Sequence, residues 1–188
     1  QQFTYVHAID PGFASQNILT VPIEGNNEVF ANEVSRINGV ENISKMSDDF
    51  GIRGSGAIQV FKDKPTNQQG VQCEYYFADA PTIPVHGLKI MSGSNFPNDK
   101  AAVREQYILI NEKAAGVLGF KNASSAIGET VWLNDSTSVE VRGVIKNFYD
   151  KGAARNINTL IFRSKTGAFH YMNILENAGT KDDIVQKI

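Results

Sequence analysis

Cysteine, histidine and tryptophan are scarce in this chain, which has one, three and one of them among its 188 residues. A single cysteine rules out an internal disulfide, and Cys73 lies in an apolar run, residues 71–77, where a small buried side chain is expected. His7, His86 and His170 each stand alone in the sequence, without a second ligand at metal-binding spacing. We therefore expect neither a reactive thiol nor a metal site.

Long apolar runs and clustered charge of one sign are also missing. No run approaches the roughly 20 apolar residues that a membrane-spanning helix needs. The first residues, Gln1-Gln2-Phe3, have neither the basic nor the apolar region of a signal peptide, so we expect none here. The formal net charge is −2, and the basic residues are scattered rather than gathered into a stripe. We expect no nucleic-acid partner.

Motifs for catalysis and nucleotide binding are absent from the sequence as well. Residues 116–121 (GVLGFK) fail the spacing of a phosphate loop, and the sequence after residues 51–56 (GIRGSG) is typical of a strand rather than of the helix such a loop requires. No G-x-S-x-G or H-E-x-x-H pattern occurs. We assign no catalytic, cofactor-binding or metal-ligating residue, and we expect a non-enzyme without a cofactor.

The most informative stretch of the chain is residues 107–149, which predicts a strand, a short helix and a hairpin. Asn111 follows the first strand and can cap a helix, since its side chain can accept a bond from a free N–H group of the first turn. Gly119 is placed to end that helix in the left-handed conformation. The predicted strands are residues 107–110, 130–133 and 138–145.

The N-terminal third predicts a strand–helix–strand unit. The helix spans residues 27–37, and its stripe of Phe30, Val34 and Ile37 should face a sheet. A second helix should begin at Thr180, because Thr180 and Asp183 have the spacing of a capping box. The strands predicted outside residues 107–149 are residues 18–23, 40–44, 57–61, 71–77, 159–162 and 171–175.

Two connections divide the predicted elements. Residues 79–87 contain two prolines and a glycine, which suits a link between lobes better than a regular element, and residues 150–158 form a second polar link. The sequence therefore predicts an α+β fold of two lobes, a βαβ-containing mixed-sheet lobe interrupted by a mostly β lobe with one short helix. The predicted boundaries are residues 15–85 plus 151–188 for the first lobe, residues 86–150 for the inserted lobe and residues 1–14 for an N-terminal segment. Residues 18–21 and 159–162 should then share a sheet.

Aromatic residues cluster near these links. Tyr75, Tyr76 and Phe77 are consecutive, so at least one of them must face away from the other two on a strand. Residues 148–149 and 169–171 form similar groups. Packing in the core and in a seam between the lobes is one interpretation, and an exposed patch for a partner protein is the other.

Several phrases of the sequence resemble the MacB-like periplasmic core domain of FtsX/MacB-type ABC transporter permeases. They are ILINEKAAGVLGF at residues 108–120, AIGETVWL at 126–133 and VRGVIKNFYD at 141–150. Residues 10–19, with Asp10, Gly12 and Phe13 ahead of N-I-L, and residues 87–96, with G-L-K-I ahead of Gly93 and Phe96, agree in order and spacing. Together these pieces cover nearly the whole chain.

The resemblance implies a porter-like lobe interrupted by a sabre-like lobe, in a non-catalytic domain between two membrane helices on the periplasmic face of a bacterial inner membrane. Residues 1–14 would be membrane-proximal. The partners implied are a cytoplasmic ATP-binding subunit acting through the transmembrane helices, a second permease copy and a periplasmic partner protein. The domain would pass ATP-driven motion to export or to that partner.

Two other classes of function stay open at this point. A ligand-sensing extracytoplasmic domain of a membrane receptor would also lie between two membrane helices, but it needs a pocket with convergent polar groups. A hydrolase with a scattered active site needs a catalytic constellation that no sequence motif supplies. The sequence assigns no residue to either alternative.

Overall fold

The computed structural model describes residues 10–24, 27–51, 56–66, 69–98, 105–134, 136–152, 155–165 and 167–188. The described strands are β1 (Ile18–Pro22), β2 (Val40–Met46), β3 (Gly56–Phe61), β4 (Val71–Phe77), β5 (Ile90–Gly93), β6 (Tyr107–Asn111), β7 (Thr130–Leu133), β8 (Thr137–Ile145), β9 (Leu160–Arg163) and β10 (Tyr171–Glu176). The α-helices are α1 (Glu28–Val34), α2 (Thr82–Val85), α3 (Glu112–Val117) and α4 (Lys181–Val185). His7 and most of the predicted turn at residues 51–56 lie outside the described residues.

One sheet has three strands in the order β1–β10–β2, and we call it the open sheet. Both outer strands are antiparallel to β10, with Ile18 opposite Leu175 and Ser44 opposite Asn173. The predicted strand–helix–strand unit is therefore present as β1, α1 and β2, with β10 lying between its two strands. Helix α1 covers one face of this sheet.

The core under α1 depends on a narrower stripe than the sequence predicts. Ala31 and Val34 are buried on the helix, and Phe30 packs against the same cluster as Met172 and Ile174 of β10. The prediction for Ile37 is wrong, because α1 ends at Val34 and Ile37 lies half-buried beyond it.

The other sheet closes on itself, and we call it the closed sheet. Its strand order is β5–β8–β6–β9–β4–β3–β7, and β7 also pairs with β8. The N-terminal part of β8 pairs with β7, and its C-terminal part pairs with β5, so nine residues of one strand serve both neighbours. A bulge in the β6–β8 register between Ile108 and Leu109 accompanies this change of partner.

Alternation along the closed sheet separates two cores. Cys73, Ile108 and Ile161 point into the interior cluster, whereas Tyr76, Leu109 and Phe162 belong to a second cluster on the opposite face. Residues of adjacent positions on one strand thus serve opposite faces, as the strand period of two requires. The second cluster also contains Met46 from β2, so it joins the two sheets.

Asn111 connects helix α3 to strand β9. Its Oδ1 accepts from the N–H of Ala114 at 2.9 Å, which confirms the predicted cap, and also from the N–H of Leu160 at 3.1 Å. Its Nδ2 donates to the carbonyl of Asn158 at 2.8 Å. Gly119 has φ +82 and ends the helix, as predicted. This buried amide therefore supports a helix start and a strand start together.

Two other predictions from the sequence are wrong. Residues 18–21 and 159–162 do not share a sheet, because β1 lies in the open sheet and β9 in the closed sheet. Residues 79–87 are not free of regular structure, since they contain α2. The sheets also cut across the predicted lobe boundaries: β3, β4 and β9 pair with β6, β7 and the rest of the closed sheet. Hydrogen bonding between distant segments decides which strands share a sheet, and no local sequence pattern predicts those pairings.

The predicted capping box at α4 is also wrong. Thr180 precedes the helix but makes no side-chain cap bond. Its hydroxyl donates instead to the carbonyls of Asn177, at 2.8 Å, and Gly39, at 3.3 Å. The contact with Gly39 attaches the start of α4 to the start of β2.

We expect Val34→Asp to lower the free energy of unfolding by about 3 kcal/mol or more, because it places a carboxylate in a cluster where Val34 is 1% exposed. Val29→Asp on the same helix is the matched control, since Val29 is 74% exposed. The control should change stability by about 0.5 kcal/mol or less. Urea unfolding of both variants measures the difference, and equal midpoints would mean that α1 faces the sheet differently.

We expect Asn111→Ala to cost about 2–4 kcal/mol, because it removes a cap and leaves the buried N–H of Leu160 without its acceptor. Asn122→Ala is the control, since Asn122 also accepts a backbone N–H, from Ser125 at 2.9 Å, but is exposed. It should cost about 0.5–1 kcal/mol. Thermal or urea unfolding distinguishes the two, and equal losses would contradict the tertiary role of Asn111.

Candidate functional site: the seam between the two sheets

The seam between the open and the closed sheet is filled with aromatic rings around Phe50. The ring of Phe50 lies 5.0 Å from Phe13, 5.2 Å from Tyr76, 5.2 Å from Phe148 and 4.8 Å from His86, all edge to face. Edge-to-face pairs at these distances stabilise a cluster beyond the area that they bury. The rings come from the N-terminal segment, the turn after β2, strand β4, the end of α2 and the segment after β8, so this cluster holds five parts of the chain together.

The three consecutive aromatics of β4 divide between the two faces, as predicted. Tyr76 is fully buried in the seam. Tyr75 and Phe77 lie on the other face, where the guanidinium of Arg163 stands 5.0 Å and 4.9 Å from their ring centres. Arg163 also forms two bonds to the carboxylate of Glu105, at 2.8 and 2.6 Å. For these residues, packing in the core and seam is the correct interpretation.

Helix α2 presents different chemistry to its two neighbours. Ile83 packs with Leu88 in the apolar cluster on the outside of the closed sheet. Toward the open sheet the helix region offers polar groups: the hydroxyl of Thr82 donates to the carbonyl of Lys45 at 3.3 Å, and His86 meets Asn173 of β10. The helix therefore contributes Ile83 to an apolar cluster shared with Met46 of β2, and Thr82 and the following His86 make polar contacts with the open sheet.

A short set of hydrogen bonds joins the end of β2 to the end of β4. The N–H of Ser47 donates to the carbonyl of Phe77 at 2.9 Å, and the N–H of Phe77 donates to Ser47 Oγ at 3.0 Å. Two residues after Phe77, the N–H of Asp79 donates to the carbonyl of Lys45 at 3.1 Å. These hydrogen bonds join the end of β2, in the open sheet, to the end of β4, in the closed sheet.

Asp79 ties this joint to α2. Its carboxylate accepts from the N–H of Lys45 at 2.9 Å, and from the N–H and hydroxyl of Thr82 at 3.2 and 2.9 Å. Burial raises the pKa of Asp79 to about 6, although these bonds favour the ionised form. The carboxylate therefore fixes the start of the helix against the last turn of β2.

A row of polar side chains covers the face of the open sheet that meets α2. Thr20, Asn173 and Ser44 are side by side on β1, β10 and β2. The hydroxyl of Thr20 donates to Asn173 Oδ1 at 2.9 Å, and Asn173 Nδ2 lies 3.2 Å from His86 Nε2. Ser44 Oγ and His86 Nδ1 are buried without a protein partner among the described residues. This buried contact is polar but incompletely bonded, which is costly for a static interface.

His86 is held neutral by its position. The side chain is 2% exposed, and burial lowers its pKa to about 4, while hydrogen bonding with the backbone of Ala14 acts in the opposite direction. In the neutral ring Nε2 can accept from Asn173 Nδ2, which leaves the proton on Nδ1.

Asp150 lies at the edge of the same seam. Its carboxylate accepts from the hydroxyl of Tyr76 at 3.2 Å and from Asn158 Nδ2 at 3.0 Å, while its carbonyl accepts from the N–H of Gly51 at 2.6 Å. Burial, with a contribution from the nearby Glu74, raises the pKa of the Asp150 carboxyl, and burial also raises the pKa of Tyr76. The link after β8 is therefore bonded to the turn after β2.

The residues considered as chemical candidates in the sequence lie apart. Cys73 is in the interior of the closed sheet, and burial raises the pKa of its thiol to about 12. His86 lies in the seam, whereas His170 is exposed, with Nδ1 3.2 Å from the carbonyl of Ser47. Within the described part of the chain, no three Cys, His, Asp or Glu side chains are grouped to hold a metal ion.

Most of the seam could not be predicted from the sequence. Tyr76 and Phe148 stand out in the sequence, whereas Phe50, Thr20 and Asn173 each occur in an ordinary local pattern. Their partners lie far along the chain: Asn173 and His86 are 87 residues apart, and Thr20 and Asn173 are 153 apart. One signal in the sequence could have pointed to the row: Thr20 and Asn173 are polar residues within strands that are otherwise apolar on that face.

Two solved structures share the fold of this chain at low sequence identity. The periplasmic region of MacB from Actinobacillus actinomycetemcomitans matches with a TM-score of 0.63 over 92% of this chain and 80% of that one, at 13% identity. The extracellular domain of the ABC-type transporter YknZ from Gram-positive bacteria matches with a TM-score of 0.60 over 89% and 88%, also at 13% identity. The sequence matches no family model and no curated protein.

These likenesses confirm the predicted fold class. The chain has the α+β, two-lobed fold of the MacB periplasmic region. Among the described residues, none of the helices combines the length and the apolar character that crossing a membrane requires.

We expect the seam to weaken in acid through His86. Because the pKa of the folded state is about 4 and that of an unfolded histidine is about 6.5, the contribution of His86 to stability is complete above pH 6.5 and is lost as pH falls towards 4. The loss amounts to about 3 kcal/mol at most. Asp79 acts with the opposite sign, since its raised pKa makes protonation between about 6 and 3.8 favour the folded state.

His86→Gln separates the two effects, because a glutamine oxygen can accept from Asn173 Nδ2 without titrating. The difference in unfolding free energy between the parent and this variant, measured by urea unfolding, should shrink between pH 6.5 and 4.5. His170→Gln is the control for replacing a histidine elsewhere. A pH-independent difference would contradict the assignment.

Proposed function

We propose that this chain is an extracytoplasmic, non-catalytic domain of an ABC transporter permease on the periplasmic face of a bacterial inner membrane. The observation that carries the proposal is the fold, which matches the periplasmic region of MacB over 92% of the chain. The resemblance of residues 108–120, 126–133 and 141–150 to the same class of domain supports it independently of the fold.

The path of the chain through the open sheet fits a domain that returns to the membrane. The N–H of Glu176, at the end of β10, donates to the carbonyl of Asn17, just before β1, at 2.9 Å. The chain therefore enters and leaves the open sheet at the same end, close to the start of α4. Residues 1–14 would then be the membrane-proximal segment, of which residues 1–9 lie outside the described residues. The position of Gln1–Ala8 relative to α4 stays a prediction.

The domain would transmit motion rather than perform chemistry. ATP-driven rearrangement of the transmembrane helices by a cytoplasmic ATP-binding subunit would reach the domain through its two membrane-proximal segments. A second permease copy and a periplasmic protein are the other partners that the proposal includes. The seam supports this role, because Phe13, three residues after the start of the described chain, packs directly on Phe50 at its centre.

Val29→Cys in the full-length permease tests the location. Val29 is 74% exposed, so a cysteine there should react with a membrane-impermeant maleimide in intact spheroplasts. The native Cys73 is the internal control, because it is 0% exposed and its thiol has a pKa of about 12. Labelling of Val29→Cys only after lysis would place the domain in the cytoplasm and overturn the proposal.

Partner capture distinguishes a permease from a ligand-sensing receptor. Solubilised full-length protein should co-purify with an ATP-binding subunit, and its ATPase activity should depend on that subunit. If Val29→Cys is labelled in intact spheroplasts and the protein co-purifies with a kinase but with no ATP-binding subunit, the ligand-sensing domain is favoured instead.

A further inference from the structure

Exposed lysines that are scattered in the sequence meet at the end of the closed sheet that carries α3. Strands β6 and β8 are parallel and finish together there, with Asn111 opposite Ile145. Six exposed lysines lie on the segments that adjoin this end, and we call them the lysine surface: Lys62, Lys64, Lys89, Lys113, Lys121 and Lys146.

Hydrogen bonds to the backbone hold one half of the lysine surface together. The N–H of Lys146, just after β8, donates to the carbonyl of Lys89, just before β5, at 2.8 Å. The N–H of Lys113, on α3, donates to Asn147 Oδ1 at 3.0 Å. Three lysines from three segments are therefore neighbours at the start of α3.

The other half of the lysine surface surrounds the end of α3. Lys62 Nζ lies 3.4 Å from the carbonyl of Gly119 and 4.8 Å from the centre of the Phe120 ring, which Lys121 follows in the chain. Lys64 comes two residues after Lys62. Helix α3 thus connects the two halves into one surface.

Few acidic side chains oppose these lysines. The segments that supply the lysines contain two acidic residues, Asp63 and Glu112. The carboxylate of Glu112 accepts from the N–H of Asn147 at 2.8 Å, so it is already engaged within the domain. Because the whole chain has a formal net charge of −2, the fold gathers positive charge at one end of a protein that is negative overall.

Two exposed apolar side chains lie among the lysines. Val117, on α3, and Met91, at the irregular position in the pairing of β5 with β8, are each 53% exposed. Lysines near a bilayer are attracted to anionic headgroups, and apolar side chains add to the binding by entering the interface. The lysine surface combines both contributions.

We propose that the lysine surface binds anionic phospholipid headgroups at the surface of the membrane, with Val117 and Met91 entering the interface. The inference rests on the proposed function, in which residues 1–14 are membrane-proximal. The described part of that segment contacts the same end of the closed sheet, because the N–H of Tyr149 donates to the carbonyl of Pro11 at 2.8 Å. The closed-sheet lobe would then touch the bilayer directly, in addition to its connection through the chain ends.

Vesicle binding by the isolated chain tests the inference. The probe is a phosphatidylcholine vesicle with about 30% phosphatidylglycerol, and a pure phosphatidylcholine vesicle is the control. Co-sedimentation should show binding to the anionic vesicle alone, and raising the NaCl concentration from about 0.05 M to about 0.5 M should remove most of that binding. A chain that stays in the supernatant with anionic vesicles at low salt would overturn the inference and leave an acidic protein as the occupant of this surface.

A pair of charge-matched double variants tests which lysines bind. Lys121→Gln with Lys146→Gln should lower the partition coefficient about 25-fold, at about fivefold for each lysine. Arg36→Gln with Lys165→Gln is the control, because it removes the same charge from exposed positions after α1 and after β9, away from α3. The control should change the partition coefficient about twofold or less. Equal losses in the two variants would mean that net charge alone governs binding, which contradicts a defined surface.

A fluorophore on α3 tests which face meets the bilayer. Val117→Cys, labelled with an environment-sensitive dye, should show a blue-shifted emission when anionic vesicles are added. Val29→Cys on α1 is the control, since Val29 is 74% exposed but lies on the open sheet, and its emission should not change. The native Cys73 is 0% exposed and should stay unlabelled. A shift at Val29→Cys without one at Val117→Cys would assign the contact to the other lobe and overturn the inference.

Failure of this inference and failure of the proposed function are separable. Vesicle binding is measured on the isolated chain and depends on no transporter. Labelling of Val29→Cys in spheroplasts depends on the location of the domain alone. Outward labelling without vesicle binding would leave the proposed function in place and remove only the lipid contact.

Discussion

The edge-to-face packing of Phe50 is the contact on which the arrangement of this domain depends. Phe50 follows β2 in the chain, yet its ring touches Phe13, Tyr76 and Phe148 within 5.2 Å. One side chain after the open sheet is thereby inserted against the outer face of the closed sheet. Without that contact, the hydrogen bonds at the end of β2 and the packing of Met46 in the same cluster would have to hold the two sheets together.

The seam combines two kinds of interaction with different mechanical consequences. Apolar packing on the closed sheet resists separation but has little directional preference. The polar row on the open sheet is directional. Asp79 and His86, which flank α2, have pKa values moved by burial in opposite directions, to about 6 and about 4. The stability of the seam therefore depends on pH through groups that partly compensate each other.

The proposed transmitting role fits the path of the chain through the open sheet. The chain enters β1 and leaves β10 at one end of the open sheet, joined by the bond between Glu176 and Asn17. A displacement applied at that end would reach both outer strands, because β1 and β2 each pair with β10.

Local chemistry determined the individual elements of this fold. Asn111 and Gly119 bound a helix because one side chain accepts a free N–H and the other residue adopts a positive φ, and both preferences are readable in the sequence. Alternation placed Tyr76 on the opposite face from Tyr75 and Phe77. The tertiary structure alone decided the pairing of β9 with β4 and β6, the position of α2, and the meeting of Thr20, Asn173 and His86. These contacts join residues as many as 153 positions apart, and their free energy depends on the burial and geometry that only the assembled sheets create.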